Sequence, residues 1–122
     1  MVPCPWFSEI AAYARTNPTA DLGLHLTLTS EWNFLKWGQV SSKTEVPGLV
    51  NQNGFLFSTA DSVHRSGKPA EVEKELRAQI EKAKQFGIDV THLDSHMGAL
   101  FGYAEYLKVS IKLDREYKLL CY

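Results

Sequence analysis

The segment DLGLHLTLTS, from Asp21 to Ser30, alternates apolar residues with small polar residues. Side chains two residues apart share one face of a β-strand, so this period of two predicts a strand. One face of the strand would carry leucines, and the other would carry glycine, threonine and His25. The segment therefore predicts a strand that buries its leucines and directs one histidine to its polar side.

A second strand is predicted at IDVTHLDSH, where titratable residues occupy alternate positions. His92, Asp94 and His96 would project from the same face of this strand. Functional groups in a parallel sheet gather at the carboxyl ends of the strands, and His96 lies at such an end. If the two strands are neighbours, His25 and His96 can meet.

Helices are predicted between these strands. The spacing of apolar residues predicts helices over residues 5–18, 69–87 and 102–117, and the final KLLCY predicts a third strand. The expected buried stripes are Phe7, Ile10 and Ala14; Val72, Leu76, Ile80 and Ala83; and Tyr103, Leu107 and Ile111. This order predicts an α/β fold, with parallel strands alternating with helices through right-handed crossovers.

Residues 31–68 lack a regular pattern and carry aromatic side chains among Ser, Asn and Gln. A long loop in a compact domain is usually functional, so this one could be a lid or a wall of a substrate site. The alternative is a loop that packs its aromatic side chains against its own scaffold.

The composition fits one domain, with 122 residues of which 44% are hydrophobic and 22% charged. The net charge of −1 gives no electrostatic reason to expect nucleic acid or an acidic membrane as a partner. Neither a membrane-spanning apolar run nor a signal peptide is recognisable. Cys4 and Cys121 lack metal-ligand spacing, and two buried thiols are favoured over a disulfide. We therefore expect a cytoplasmic protein.

The histidines indicate a metal site, because two imidazoles and a carboxylate are typical ligands of a divalent ion such as zinc. His25 and His96 are the candidate ligands, and Asp94 could bind the metal, orient a histidine or act as a base. The alternatives are that His25 fills a small polar slot and that His92 is a hydrogen-bonded core histidine.

Two motifs together resemble the YdjC-like carbohydrate deacetylases, also called ChbG-like. They are GLHLTLTSEW, residues 23–32, and THLDSHMG, residues 91–98. The upstream segment VPCPWFSE is also similar to the family, and the resemblance covers nearly the whole chain.

The resemblance implies an incomplete (β/α) barrel of the polysaccharide-deacetylase-like type, formed by one domain over residues 1–122. It implies removal of N-acetyl groups from an amino sugar or chitooligosaccharide, with zinc or magnesium activating water. His25 and His96 match the metal ligands of the family. Asp94 matches an acidic position that would act through a histidine, and His92 matches a position outside the ligand set.

The chain also departs from the family. Family members open on a strand that ends in Asp-Asp-Phe-Gly, which supplies a further metal ligand and the general base, and this motif is absent here. We therefore expect the chain to correspond to about the middle half of a family member, truncated at both ends. Because a half barrel exposes two sheet edges, we also expect a homo-oligomer.

Three functions remain open at this point. The first is a metal-dependent deacetylase that acts on an acetylated amino sugar or oligosaccharide. The second is an inactive metal- or sugar-binding fragment that lacks the catalytic aspartates. In either, Trp32, Trp37 and Phe55 could stack on sugar rings, with core packing as their alternative. The third is a metal-dependent phosphoesterase, which the lack of a basic cluster and a glycine-rich phosphate loop disfavours.

Overall fold

The fold was analysed in a computed structural model that describes residues 1–121. Helices and strands alternate as predicted. The elements are α1 (Phe7–Thr16), β1 (Leu22–Leu26), α2 (Ala60–Ser66), α3 (Pro69–Gln85), β2 (Val90–Ser95), α4 (Ala104–Tyr117) and β3 (Leu120–Cys121). Short 3-10 turns form at Pro47–Leu49 and His96–Gly98.

The three strands form one parallel sheet in the order β1–β2–β3. His25 is the register partner of Asp94, and Leu26 is that of Ser95. The predicted α/β class and the pairing of the first two strands are therefore confirmed. Closure of the sheet into a barrel stays a prediction, and Tyr122, the last residue of the predicted third strand, lies outside the described residues.

The core confirms two of the predicted apolar stripes in large part. Leu24, Leu26 and Leu28 are buried on the leucine side of β1, although the strand itself ends at Leu26 and not at the predicted Ser30. The α3 stripe is fully buried, at Val72, Leu76, Ile80 and Ala83. Burying a Leu or Ile side chain stabilises the fold by about 1.5–3 kcal/mol, so α3 and β1 together anchor the core.

The predicted stripes of the two outer helices were wrong in part. Tyr103, the N-cap of α4, and Ile111 within the helix are each 40% exposed, and the buried apolar residues of α4 are Tyr106, Val109 and Leu113. In α1, Ile10 is 49% exposed, and the neighbouring Ala11 takes the buried place.

Residues 31–68 are not one irregular loop, which corrects the prediction. The 3-10 turn Pro47–Leu49 and helix α2 both lie within this range. The seven-residue α2 is too short for a clear helical period, and it starts where the Thr59 side chain accepts a hydrogen bond from the Ser62 backbone. The range also contributes core residues: Trp37, Val46, Leu49, Val50, Leu56 and Val63.

A row of buried polar side chains on α3 holds this segment and β1 in place. Gln79 accepts a hydrogen bond from the backbone N–H of Thr27 at 3.0 Å and donates one to its carbonyl at 2.7 Å. Glu75 accepts hydrogen bonds from the backbone N–H groups of Val40 and Ser41. Because buried polar groups cost free energy unless they are paired, these bonds specify where the carboxyl end of β1 lies.

Two expectations from composition can be compared with the structure. Within residues 1–121, no helix has the length and apolar character needed to cross a membrane. Cys4 is a buried free thiol, as predicted, and burial raises the pKa of that thiol, which keeps it protonated at neutral pH. For Cys121, a buried thiol stays a prediction.

Candidate metal centre

Four titratable side chains form a hydrogen-bonded line at the carboxyl end of the first two strands. Asp94 Oδ1 lies 2.7 Å from Nδ1 of His25. Nε2 of His25 lies 3.0 Å from Nδ1 of His96. Nε2 of His96 lies 3.0 and 2.9 Å from the two carboxylate oxygens of Glu31. The order of the line is therefore Asp94–His25–His96–Glu31, and the predicted meeting of the two histidines is confirmed.

The strand register brings His25 and Asp94 together. The two residues are direct partners across β1 and β2, and both lie on the polar side of their strands. Their side chains are 40% and 44% exposed. Asp94 thus occupies the position beside a histidine that the sequence predicted.

His96 is placed by the turn that follows β2. Met97 has a φ of 54° and Gly98 a φ of 62°, so the chain takes two left-handed residues immediately after the histidine. Left-handed backbone is easy for glycine and strained for methionine, and strain of this kind is typical of functional sites. The Leu100 backbone then donates a hydrogen bond to the Ser95 side chain at 3.1 Å, which closes the turn.

Trp37 supports His96 and belongs to the core. It is 3% exposed, its indole N–H donates to the Thr29 carbonyl at 2.9 Å, and its ring lies edge-on to His96 at 6.4 Å between centroids. A buried ring has no free face for a sugar, so Trp37 takes the core-packing alternative and not the predicted stacking role. Trp32 is 57% exposed, and its role in substrate binding stays a prediction.

Glu31 was not among the site residues predicted from the sequence, because it lies in the segment without a regular pattern. Its position just after the carboxyl end of the predicted strand was the available signal. Burial alone would raise the pKa of Glu31, but hydrogen bonds from His96, the backbone and Thr29 lower the pKa below the ordinary glutamate value. Glu31 is therefore ionised at neutral pH and accepts a hydrogen bond from Nε2 of His96.

His92 has a different environment from the other two histidines of this region. Its ring packs against Gly23 on β1, where the Cβ of any other residue would collide with the imidazole. Its Nδ1 lies 2.9 Å from the Thr91 hydroxyl and 3.9 Å from the Asp21 carboxylate. These contacts give His92 a packing role in the sheet.

The two facing ring nitrogens fit a divalent cation. When Asp94 and Glu31 each accept a hydrogen from the outer nitrogen of one histidine, the neutral rings have lone pairs on their two inner nitrogens. Lone pairs that face each other across 3.0 Å repel unless a proton or a cation lies between them. Neutral imidazole is also a preferred ligand of zinc.

The described side chains supply only part of a complete ligand set. In the part of the chain that the structure describes, no group of three or more His, Cys, Asp or Glu side chains is placed to hold a metal ion. His25 and His96 stay candidate ligands, and any metal bound between them would need further ligands, such as water or other groups.

The fold and this cluster define an α/β protein with a polar site at the carboxyl ends of its strands. The model of the family described as YdjC-like protein matches residues 1–120. The chain therefore belongs to the YdjC-like family, and the resemblance read from its two motifs is confirmed.

Relatives and a solved structure agree with this assignment. A protein of Thermus thermophilus named carbohydrate deacetylase is 33% identical over 98% of this chain and 41% of its own length. Another of that name from Oceanobacillus iheyensis is 37% identical over 87% of this chain and 43% of its own length. The crystal structure of an Enterococcus faecalis protein, described as a cellobiose-phosphate cleavage protein, has a TM-score of 0.87 at 29% identity. The match with that structure covers 99% of this chain and 45% of the Enterococcus faecalis protein. This chain therefore spans less than half the length of the relatives it matches.

Proposed function

We propose that this chain carries part of the active site of a metal-dependent hydrolase that removes N-acetyl groups from an amino sugar or chitooligosaccharide. The observation that carries the proposal is the approach of His25 Nε2 and His96 Nδ1 to 3.0 Å at the strand ends. Family membership and the name carbohydrate deacetylase among the relatives support it. A divalent cation, zinc or magnesium, would supply the Lewis acidity that activates water and polarises the acetamide carbonyl.

The chain's own residues prepare the site for that cation. Asp94 holds a hydrogen on Nδ1 of His25, and Glu31 holds one on Nε2 of His96, so the two inner nitrogens act as electron-pair donors. Carboxylate partners of this kind orient imidazole ligands and raise their basicity. The proposed ligands are therefore His25 Nε2 and His96 Nδ1.

The exposure of the two histidines indicates the side from which a substrate would approach. The His25 side chain is 40% exposed, whereas the His96 side chain is 10% exposed and backed by Trp37. Trp32 and Met97 follow Glu31 and His96 in the chain and are 57% and 62% exposed. Exposed apolar side chains beside polar groups suit a carbohydrate, which offers both C–H faces and hydroxyl groups.

A second candidate function is a metal- or sugar-binding module without catalytic activity. The observation that favours it is the incomplete ligand set, with two histidines placed and no third protein ligand among residues 1–121. A homo-oligomer and a cytoplasmic location also stay as proposals. For the oligomer, the support is that β1 and β3 form the outer strands of the described sheet, and an unpaired strand edge invites pairing.

Acetate release from an N-acetylglucosamine oligomer tests the proposal. The chain would be assayed after zinc or magnesium loading, beside His25→Ala, His96→Ala and the control His92→Ala. We expect the two ligand variants to lose at least about 100-fold in rate and the control to stay within a few-fold of the wild type. Metal binding without acetate release would favour the second candidate. Acetate release that survives both ligand substitutions would contradict the proposed site.

A further inference from the structure

We propose that Glu31 is a positioning residue that sets the tautomer of His96. With the hydrogen held on Nε2 by the carboxylate, Nδ1 of His96 is left to face His25 as an electron-pair donor. The inference rests on the proposed function, because the tautomer of His96 matters for function only if His96 Nδ1 binds a cation. It also makes a claim about the metal-free protein that can be tested separately.

The contact between Glu31 and His96 is close and partly shielded from water. Both carboxylate oxygens lie within 3.0 Å of Nε2, and the side chains of His96 and Glu31 are 10% and 23% exposed. A hydrogen bond to an ionised acceptor is shorter and about twice as strong as a neutral one. Restricted access of water means that solvent is a poor replacement for this acceptor.

The backbone that carries Glu31 is held in place on its amino-terminal side. The Ser30 N–H donates to the Phe57 carbonyl at 2.8 Å. The Ser30 hydroxyl accepts from the Trp37 N–H at 3.1 Å, and the Ser30 carbonyl accepts from Lys36 Nζ at 2.6 Å. Because Ser30 is anchored, the backbone of the next residue, Glu31, has a restricted position close to His96. A positioning role requires such restriction.

The geometry also separates a positioning role from a direct ligand role. Glu31 contacts the outer nitrogen of His96, and the inner nitrogen of the same ring faces His25. The two nitrogens lie on different sides of the imidazole, so Glu31 acts on the site through the ring.

The loss of Glu31 would have a specific consequence. Without an acceptor at Nε2, neutral His96 can carry its hydrogen on Nδ1 and donate it to Nε2 of His25, 3.0 Å away. That bond would occupy both inner nitrogens at once. The cation would then compete with a satisfied hydrogen bond, and its affinity would fall.

The test uses the whole chain, Zn²⁺ alone as the probe and two readouts. Glu31→Leu removes the acceptor, Glu31→Gln keeps one acceptor oxygen, and Glu45→Leu is a matched control in the same segment. Zinc affinity would be measured by competition with a chelating dye. The imidazole tautomers would be read from ¹⁵N spectra of the metal-free chain at about pH 9, well above the ordinary histidine pKa of about 6.5.

We expect Glu31→Leu to weaken zinc binding about ten- to hundredfold and to move the His96 hydrogen to Nδ1. Glu31→Gln should stay within about fivefold of the wild type and keep the Nε2 hydrogen, and Glu45→Leu should match the wild type. Glu31→Leu with an unchanged tautomer and wild-type affinity would overturn the inference. If that variant does not fold, the wild-type spectrum decides, since a hydrogen on Nδ1 of wild-type His96 overturns it too.

The two readouts distinguish this inference from the proposed function. Zinc binding with no tautomer change in Glu31→Leu would remove the role of Glu31 and leave the metal site intact. No zinc binding by the wild type, together with the expected tautomer change, would contradict the metal site and retain the role of Glu31.

Discussion

The two histidine–carboxylate pairs of the site use the same chemistry in different surroundings. His25 and Asp94 are neighbours across two strands, and their side chains are 40% and 44% exposed. His96 and Glu31 come from a turn and an irregular segment, and their side chains are 10% and 23% exposed. The comparison teaches that the strands supply an open pair that water can reach, whereas the connecting segments supply a shielded pair next to it.

Access of water determines how much each pair contributes to stability. Exposed ion pairs contribute about 0–1 kcal/mol, because water replaces a lost partner at little cost. A buried donor or acceptor that loses its partner costs about 1–3 kcal/mol. The shielded pair should therefore respond more strongly to substitution than the open pair.

The largest expected effect is on folding stability. His96→Ala should lower the free energy of unfolding of the metal-free chain by about 2–3 kcal/mol, because it leaves Glu31 shielded and without its partner and removes a ring packed on Trp37. His25→Ala should lower it by less than about 1 kcal/mol. Urea unfolding of both variants measures the difference. Equal losses would mean that burial does not distinguish the two pairs.

An intermediate effect is expected on zinc affinity when the open pair loses its carboxylate. Asp94→Leu should weaken zinc binding by about three- to tenfold, at or below the low end of the roughly 10–100-fold range for such partners, since water can take over as acceptor for His25 Nδ1. The same dye competition used for Glu31→Leu measures it, with Asp89→Leu as a control at an exposed position between α3 and β2. A larger loss for Asp94→Leu than for Glu31→Leu would reverse the ranking of the two pairs.

The smallest effect is expected at a carboxylate away from the site. Glu73 accepts hydrogen bonds from Lys112 at 2.7 Å and Arg77 at 3.1 Å, and the bond from Lys112 is the main reason that the pKa of Glu73 lies below its ordinary value of 4.5. A lowered folded-state pKa stabilises the fold above pH 4.5, and the contribution is lost as pH falls through the lowered value.

Glu73→Gln should therefore cost about 0.5 kcal/mol near neutral pH, and its difference from the wild type should shrink as the pH falls below 4.5 and through the lowered pKa of Glu73. Urea unfolding at several pH values checks this, with Glu105→Gln as a control for an exposed pair within one helix. A cost that grows as pH falls would show that the sign of the pKa shift is wrong.

The sheet and the meeting of His25 and His96 could be predicted from the sequence. Strict alternation defines the faces of a strand whatever its neighbours are. In a parallel sheet the carboxyl ends of adjacent strands also lie at one edge, so a histidine near the end of each strand is enough to predict contact. The family motifs pointed to the same two residues.

Glu31 and the buried face of α4 could not be predicted in the same way. Glu31 reaches His96 through an irregular segment whose path depends on long-range hydrogen bonds to α3. In α4, apolar residues alternate at Leu107, Val109, Ile111 and Leu113, which is compatible with more than one helical stripe. Tertiary contacts decide between them, because the Tyr106 hydroxyl donates to the carbonyls of Val63 and Gly67.

The central claim is that His25 and His96 together bind a divalent cation. The most direct measurement is the zinc content of the purified chain after loading and buffer exchange, by elemental analysis, beside His25→Ala and His96→Ala. We expect about one zinc ion per chain in the wild type and a loss of that zinc in both variants. A wild-type chain without zinc, or zinc retained in both variants, would contradict the claim.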